Sequence, residues 1–334
     1  MMLLCGALGE QAQARQYQTV PSLRNRDSLC IALYAHKKTY QSTCRRIRKT
    51  RPAGAWAPAF LVLAYALMKS AIVVIPLYKT LLCHNERLAF ERALHTLSHR
   101  RFSIACPTGL DLAPLAESLA RVDHDVRRFD THWFDGIEGY NRLMLSPTFY
   151  DTFADAEYLL ICQTDAFVFE DRLDAWLDKG YDYVGAPWIA SPQTAATRFL
   201  RRINDAFRKR RKNTAHWFKV GNGGFSLRNV STMRRIVTTQ RENIVRLQDV
   251  ADHSGHHIED LYFSIVAPKL TRMRIPDYRE AVDFCIDRKP DVALRLNGGK
   301  LPIACHRFFD RGTRRFWAPI IARSIATPTK PNAA

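Results

Sequence analysis

An α/β fold, with a mixed, mostly parallel sheet flanked by helices, is what this sequence predicts, and three observations predict it. Short apolar runs rich in β-branched residues recur, Ala71–Leu77 (AIVVIPL) and Glu157–Cys162 (EYLLIC) being the clearest. A continuous apolar run of that length suits a strand buried on both faces. Stretches with helical spacing lie between such runs, and strands alternating with helices make a parallel sheet covered on both sides. Finally, 334 residues that are 47% hydrophobic and 25% charged, with 18 Phe, 12 Tyr and 6 Trp, can bury a large core. That composition excludes a wholly disordered or fibrous chain.

The elements follow in order. Ala71–Leu77 is the first strand, and Asn85–Ser98 continues with Phe90, Leu94 and Leu97 at helical spacing. Arg101–Cys106 is a second strand closed by the turn residues Pro107-Thr108-Gly109. A helical stretch, Asp111–Ala120, leads to a third strand at Val126–Phe129. Tyr140–Phe153 reads as a helix in which Pro147 begins a new turn or makes a kink. Glu157–Cys162 is the fourth strand. Asp171 caps a helix through Leu177 that Gly180 ends, and Tyr181–Val184 is a further strand entering GAPW. No internal repeat is visible.

The formal charge of +18 suggests a nucleic-acid partner until it is located. Residues 1–69 carry 11 Lys and Arg against Glu10 and Asp27, and residues 198–212 carry eight against Asp205. The rest of the chain is close to neutral, and it lacks a helix-turn-helix, a zinc module or an aromatic RNA-binding run, so no specific nucleic acid is expected. Residues 1–67 form a basic, partly apolar N-terminal extension. Ala53–Met68 is uncharged and follows the basic run Arg45–Arg51, an order that resembles a signal anchor, but it is shorter than the roughly 20 residues of a membrane span. The extension is therefore either a weak membrane tether or a consequence of start-codon choice. Eight cysteines without a CxxC pair suit a reduced, cytoplasmic setting. Arg198–Lys212, inside a basic insertion over 193–215, places Phe199, Ile203 and Phe207 four apart among basic residues. It reads as an amphipathic helix suited to an anionic membrane surface, or as a solvated lid. The histidines within Asp252–His257 match no closed zinc spacing.

Four signals carry the chemistry. Gln163 and Asp165 follow the fourth strand, where alternation projects both to one side at its carboxyl end, the usual ligand edge of an α/β sheet. A lone Asp there also serves simply as a helix cap. Gly223 and Gly224 interrupt the strand-like VGNGGFSLR (Val220–Arg228), which suits either close approach by a ligand or a β-bulge. Glu259 and Asp260 open a helix, as a catalytic base or as partners of its dipole. His306 ends the run LPIACH (Leu301–His306), as a ligand or as a structural residue.

Taken in series, these residues resemble the GT-A superfamily of nucleotide-sugar glycosyltransferases, and within it a largely bacterial domain family of unknown function. The resemblance covers roughly Ala71 to Trp317, and rests on IPLYK (75–79), GYNRLMLSPTFY (139–150), QTDAFVF (163–169), DYVGAPW (182–188), VGNGGFSLRN (220–229), IEDLYFS (258–264) and LPIACH (301–306). It implies a GT-A domain over 68–320; the chain beyond it, 321–334, reads by its own residues as a disordered tail. The Asp-x-Asp metal motif falls on Gln163 and Asp165, the glycine-rich loop on Gly223 and Gly224, the acidic pair on Glu259 and Asp260, and the C-terminal metal-binding His on His306. Gln163 departs from the motif and removes one negative charge. Its carbonyl still suits a hard cation or a ribose hydroxyl.

The implied cofactor is Mg²⁺ or Mn²⁺ on Asp165 and His306, an imidazole favouring Mn²⁺. The implied reaction is inverting transfer of a sugar from a nucleoside diphosphate donor, a UDP-sugar, to an acceptor hydroxyl on a glycan or lipid-linked glycan. Asp260, aided or replaced by Glu259, is the base. Tyr140, Asn141 and Arg142 are candidate nucleotide contacts, or a helix with Tyr140 and Leu143 in the core. Trp188, Asn222, Gly223 and Gly224 are candidates on the acceptor and sugar side, with Trp188 stacking on a sugar or plugging the core. The expected location is cytoplasmic, at the inner face of the cell membrane. The rival functions are a basic nucleic-acid-binding protein, a nucleotidyltransferase, and an inactive glycan-binding relic.

Overall fold

Alternation along the first strand sets the layers. In β1 (Ala71–Pro76), Ala71, Val73 and Ile75 enter one apolar cluster, while Ile72 and Val74 enter another on the opposite face. A strand buried on both sides needs this unbroken apolar run. The computed structural model describes residues 70–190, 217–251 and 258–326.

The main sheet has the order β3-β2-β1-β4-β7-β6, with β2 (Phe102–Pro107), β3 (His124–Phe129), β4 (Tyr158–Cys162), β6 (Tyr183–Pro187) and β7 (Val220–Asn229). β3, β2, β1 and β4 are parallel, and β7 runs antiparallel to both β4 and β6. The fold is thus α/β, with a mixed, mostly parallel sheet flanked by helices. A second sheet, ordered β5-β9-β8, comprises β5 (Ala166–Val168), β8 (Cys285–Ile286) and β9 (Ala304–His306).

Helices cover both faces. On one lie α1 (His84–Thr96), through Phe90 and Leu94, and, further along the chain, the helix Leu173–Lys179, through Trp176 and Leu177. The other face holds α2 (Gly136–Met144) and α3 (Pro147–Thr152). Leu173–Lys179 is α4, and α5 (Val230–Thr239) adds Met233 and Ile236 to the second face. Next come α6 (Arg241–Ala251) and α7 (Ile258–Leu261), which runs into a π-helical turn, Tyr262–Val266. The last helix, α8 (Arg314–Ala326), packs Trp317 and Ile321 into a third cluster with Phe167 and Phe169.

Several boundaries differ from the expectation. The helix expected over Tyr140–Phe153 is two helices: Ser146 is extended, its Oγ accepts from the Phe149 amide at 3.3 Å, and Pro147 starts α3. The expected helix Asp111–Ala120 shortens to a 3₁₀ turn at Ala113–Leu115 followed by Ala116–Leu119. β3 begins at His124 rather than Val126, because an edge strand tolerates polar residues that hide it in the sequence. The strand expected over Tyr181–Val184 lies at Tyr183–Pro187. The tail expected to be disordered from 321 is helical to Ala326, since burial of Trp317 and Ile321 anchors the helix beyond that point. No helix among the described residues is long and apolar enough to cross a membrane. The extension over 1–67, the basic segment 198–212 and the histidines of 252–257 lie outside the described residues.

Candidate functional site

β4 is buried along its whole length and stops at Cys162, where the chain reverses. The Gln163 amide donates to Gly224 O at 2.9 Å and the Ala166 amide to Gln163 O at 3.0 Å, closing a turn over Gln163–Asp165. Strand alternation therefore does not place Gln163 and Asp165 on one side, because turn dihedrals break the period of two. Gln163 comes beside the Tyr140 hydroxyl. Asp165 comes beside His306, because β5 leaves the main sheet and pairs Ala166 with His306 on β9.

His306 is buried between two carboxylates. Its Nδ1 lies 3.2 Å from Asp287 Oδ1 and its Nε2 3.0 Å from Asp165 Oδ1. A carboxylate only accepts, so the Asp287 contact puts a proton on Nδ1 and leaves Nε2 as the nitrogen that faces Asp165. Burial opposes a charged imidazole, but Asp165 and Asp287 outweigh it and push the pKa up to about 10. Burial likewise opposes ionisation of Asp165, and His306 more than offsets it, holding this carboxyl below the ordinary range. Nε2 and Oδ1 face one another without the alignment of a hydrogen bond, and neither has a hydrogen-bond partner elsewhere. Two such orphaned atoms aimed at each other fit a shared cation. Among the described residues no three His, Cys, Asp or Glu side chains are grouped so as to hold a metal ion, and Asp165 and His306 supply two donors of the kind a hard divalent cation takes.

The paired glycines sit in a bulge. Between Val184↔Leu227 and Ala186↔Asn222, β6 advances two residues and β7 five. The Gly223 amide donates to Asp260 Oδ1 at 2.7 Å, and the Gly224 amide to Asn222 Oδ1 at 3.1 Å. A Cβ at Gly223 would lie 2.6 Å from Asp260 Oδ1, 2.7 Å from Glu259 Oε2 and 3.0 Å from Arg228 Nη2. At Gly224 it would strike the His306 ring. The space beside the glycines is thus filled by the chain's own polar side chains, which corrects the expectation that it admits a sugar to the backbone. Trp188 is buried over Gly221, where a Cβ would collide with its ring, so it plugs the core rather than offering an open stacking face.

The acidic pair opens α7 as expected. Glu259 Oε1 lies 2.6 Å from Arg228 Nη2, both side chains being almost wholly enclosed. Burial opposes the Arg228 charge, but Glu259 and neighbouring tyrosines hold its pKa well above the ordinary value. Burial, then the adjacent Glu259, push Asp260 well above the usual carboxylate range. On α2, Tyr140 is half-buried beside this group and also packs on the core, Asn141 is buried, and Arg142 is half-buried.

Residues 123–306 match the model of a family described as a protein of unknown function (DUF5672). The chain belongs to that family. The family segment runs from β3 to the end of β9, so Tyr140, Asp165, the glycine pair, Asp260 and His306 all fall inside it. No curated protein matches the chain. Among solved structures, galactosyltransferase LgtC in complex with donor and acceptor sugar analogues aligns with a TM-score of 0.50 at 15% identity, covering 78% of this chain and 97% of that one. The glycosyltransferase GlyE of Streptococcus pneumoniae TIGR4 gives 0.44 at 12% identity, covering 77% and 60%. Core-mannan synthase A of Aspergillus fumigatus, in its Mn/GDP form, gives 0.43 at 8%, covering 64% and 74%. The likeness to LgtC is one of fold, and the fold is the GT-A fold.

Sequence reasoning missed two members of the site, both within the DUF5672 segment. Arg228 is a fully buried cation next to the end of β7, and Asp287 follows β8 and fixes the His306 ring. A charged residue closing the otherwise strand-like VGNGGFSL was a signal for the first. Asp287 carried none, because only the small sheet brings it to His306. A hollow of about 650 Å³ is lined by the basic residues Arg288, Lys289, Arg307 and Arg315 and by the acidic residues Asp287, Asp291 and Asp310.

Proposed function

We propose that this chain is a glycosyltransferase that moves a sugar from a nucleoside diphosphate donor, a UDP-sugar, to an acceptor hydroxyl on a glycan or lipid-linked glycan. One observation carries the reading: consecutive glycines of one bulge seat the Asp165–His306 pair through position 224 and Asp260 through position 223. A pair suited to a cation and a buried carboxyl of raised basicity thus meet at the carboxyl edge of the parallel strands, where α/β sheets bind ligands.

Asp165 and His306 would hold Mn²⁺ or Mg²⁺ once Nε2 gives up its proton, with Asp287 fixing the ring through Nδ1. Such an ion, when bound, stabilises the negative charge that grows on the departing diphosphate. Asp260, once ionised, takes the proton of the acceptor hydroxyl as its oxygen attacks the anomeric carbon from the face opposite the leaving group, which inverts the configuration. The Gly223 amide holds Asp260 in place. Tyr140 and Gln163 suit the nucleoside end, and Lys289 and Arg315 in the hollow beside Asp287 suit anionic oxygens of the donor.

The full chain incubated with a panel of nucleotide sugars, with and without Mn²⁺, is expected to release nucleoside diphosphate and to form a product of inverted anomeric configuration by ¹H NMR. Asp165→Ala is expected to abolish donor turnover, and wild-type rates in that variant would discard the assignment. A second reading, an inactive glycan-binding relic, is favoured by Gln163 in place of the first metal-motif acid. Glycan binding without release of nucleotide from any donor would establish it.

A further inference from the structure

Two carboxyls and one guanidinium share an enclosure around Gly223. Arg228 is fully buried and Glu259 is 3% exposed. Arg228 Nη2 meets Glu259 at 2.6 Å, its Nε donates to Ser226 Oγ at 3.0 Å, and its Nη1 to the Tyr150 hydroxyl at 3.3 Å. Its guanidinium also faces the rings of Tyr183 and Phe263. The arginine is therefore fixed from β7, α3, β6 and the π-turn, and the carboxylate it holds is fixed with it. Asp260 is anchored on another donor, the Gly223 amide at 2.7 Å.

We infer that Arg228 and Glu259 are positioning residues whose buried ion pair sets the place and basicity of Asp260, leaving Asp260 as the single proton acceptor. The inference rests on the glycosyltransferase reading. Breaking the contact between a carboxylate and a fixed, buried cation would strand that positive charge. Glu259 is committed to Arg228 at 2.6 Å, which leaves Asp260 as the carboxyl placed to accept. One cation neutralises one carboxylate, and Arg228 is held by Glu259, so Asp260 on the Gly223 amide is the carboxyl of this enclosure without a direct ion-pair contact among the described residues. The groups facing Asp260 are Glu259 on α7, Arg228 on β7, and the hydroxyl-bearing Tyr140 and Tyr183 on α2 and β6. The arrangement explains Gly223: a Cβ there would press on Asp260, Glu259 and Arg228 together.

The test compares pH–rate profiles. Glu259→Gln removes the negative neighbour and leaves Arg228 free to favour ionised Asp260. Its rising limb should move about one pH unit or more toward acid, with substantial turnover at its own optimum. Arg228→Met removes the cation; its limb should move toward alkali and its maximal rate fall by about 100-fold or more. Arg228→Lys should bring the limb back toward wild type. Loss of turnover at every pH in Glu259→Gln, as in Asp260→Asn, would make Glu259 the base and overturn the inference. So would limbs that stay still in both variants, which is what a purely structural ion pair predicts. Should Arg228→Met not fold, Glu259→Gln decides alone. If the wild-type chain turns over no donor, the glycosyltransferase reading fails by itself. The inference is then read from ¹³C NMR titration of aspartate-labelled protein, with the resonance assigned by Asp260→Asn. A signal that titrates above the ordinary range and falls in Glu259→Gln supports it; one that does not shift refutes it.

Discussion

A methyl group at position 224 would occupy the space of the His306 imidazole, and no flexible side chain is there to yield. His306 is held from its other side by Asp287, so the ring could leave only by breaking that contact and misaligning Nε2 from Asp165. Gly224→Ala is therefore expected to lower turnover by about 100-fold, the scale on which a misplaced reacting group costs rate. The loss in stability should stay near the 1–3 kcal/mol typical of overpacking. Steady-state kinetics alongside urea unfolding checks both, and near-normal turnover would contradict the close seating. That this glycine pair is special can be read in the sequence, since two glycines in an otherwise apolar strand ask for an explanation. What fills their space cannot. Asp260 and His306 lie far along the chain, and the sequence offers ligand and bulge as equal occupants.

Among the elements, α4 gives the clearest electrostatic case. Asp171 accepts from Arg100 Nε at 2.5 Å and Nη2 at 2.9 Å, and from the Leu173 amide at 2.8 Å, tying the end of α1 to the start of α4. Burial disfavours its charge, but His99 and Arg100 outweigh that and hold its pKa far below the usual carboxylate range. A depressed native pKa adds stability that is complete above the unfolded value, about 3.9, and that is lost as pH falls through the native value. Asp171→Asn should cost about 3 kcal/mol at pH 7, the scale for breaking a buried pair, and its deficit should shrink at strongly acidic pH. Chemical unfolding at both pH values checks this, and a deficit independent of pH would show that charge plays no part. The capping role of Asp171 was legible in the sequence, and so was Gly180, which ends α4 at a φ of +64°. Its partner Arg100 was not, because nothing local in the chain joins residues 71 apart. The extent of α8 was hidden for a similar reason: polar residues after Ile321 look like a tail until Trp317 is seen anchored beneath β5.

At the scale of the whole molecule, charge is uneven. The hollow beside Asp287 carries Arg288, Lys289, Arg307 and Arg315, of which Arg307 is paired with Asp310 at 2.7 Å and Arg288 with Asp287 at 3.5 Å. If donor oxygens use this hollow, joint substitution of Lys289→Glu and Arg315→Glu should raise donor KM about ten-fold, equivalent to about 1.4 kcal/mol. The wild-type KM should itself rise with salt, as screening requires. A KM indifferent to both would place the diphosphate elsewhere. Much of the net charge lies in 1–69 and 198–212, outside the described residues. Binding of the full chain to anionic but not zwitterionic vesicles, reduced when the basic residues of 198–212 are neutralised, is the expected sign of a membrane-facing acceptor. Equal binding after neutralisation would remove that role.

The sequence by itself determined the layers, because the two periodicities that place apolar residues inside a strand or a helix are local properties of the chain. It also determined the order in which the chemically capable residues appear. Only the tertiary structure decided which of them meet. It turned Gln163 toward Tyr140 and Asp165 toward His306, gave Glu259 to Arg228, and brought Asp287 behind the imidazole. Those pairings join residues on separate elements, and they are set by strand register and a bulge, which no local pattern of residue types encodes.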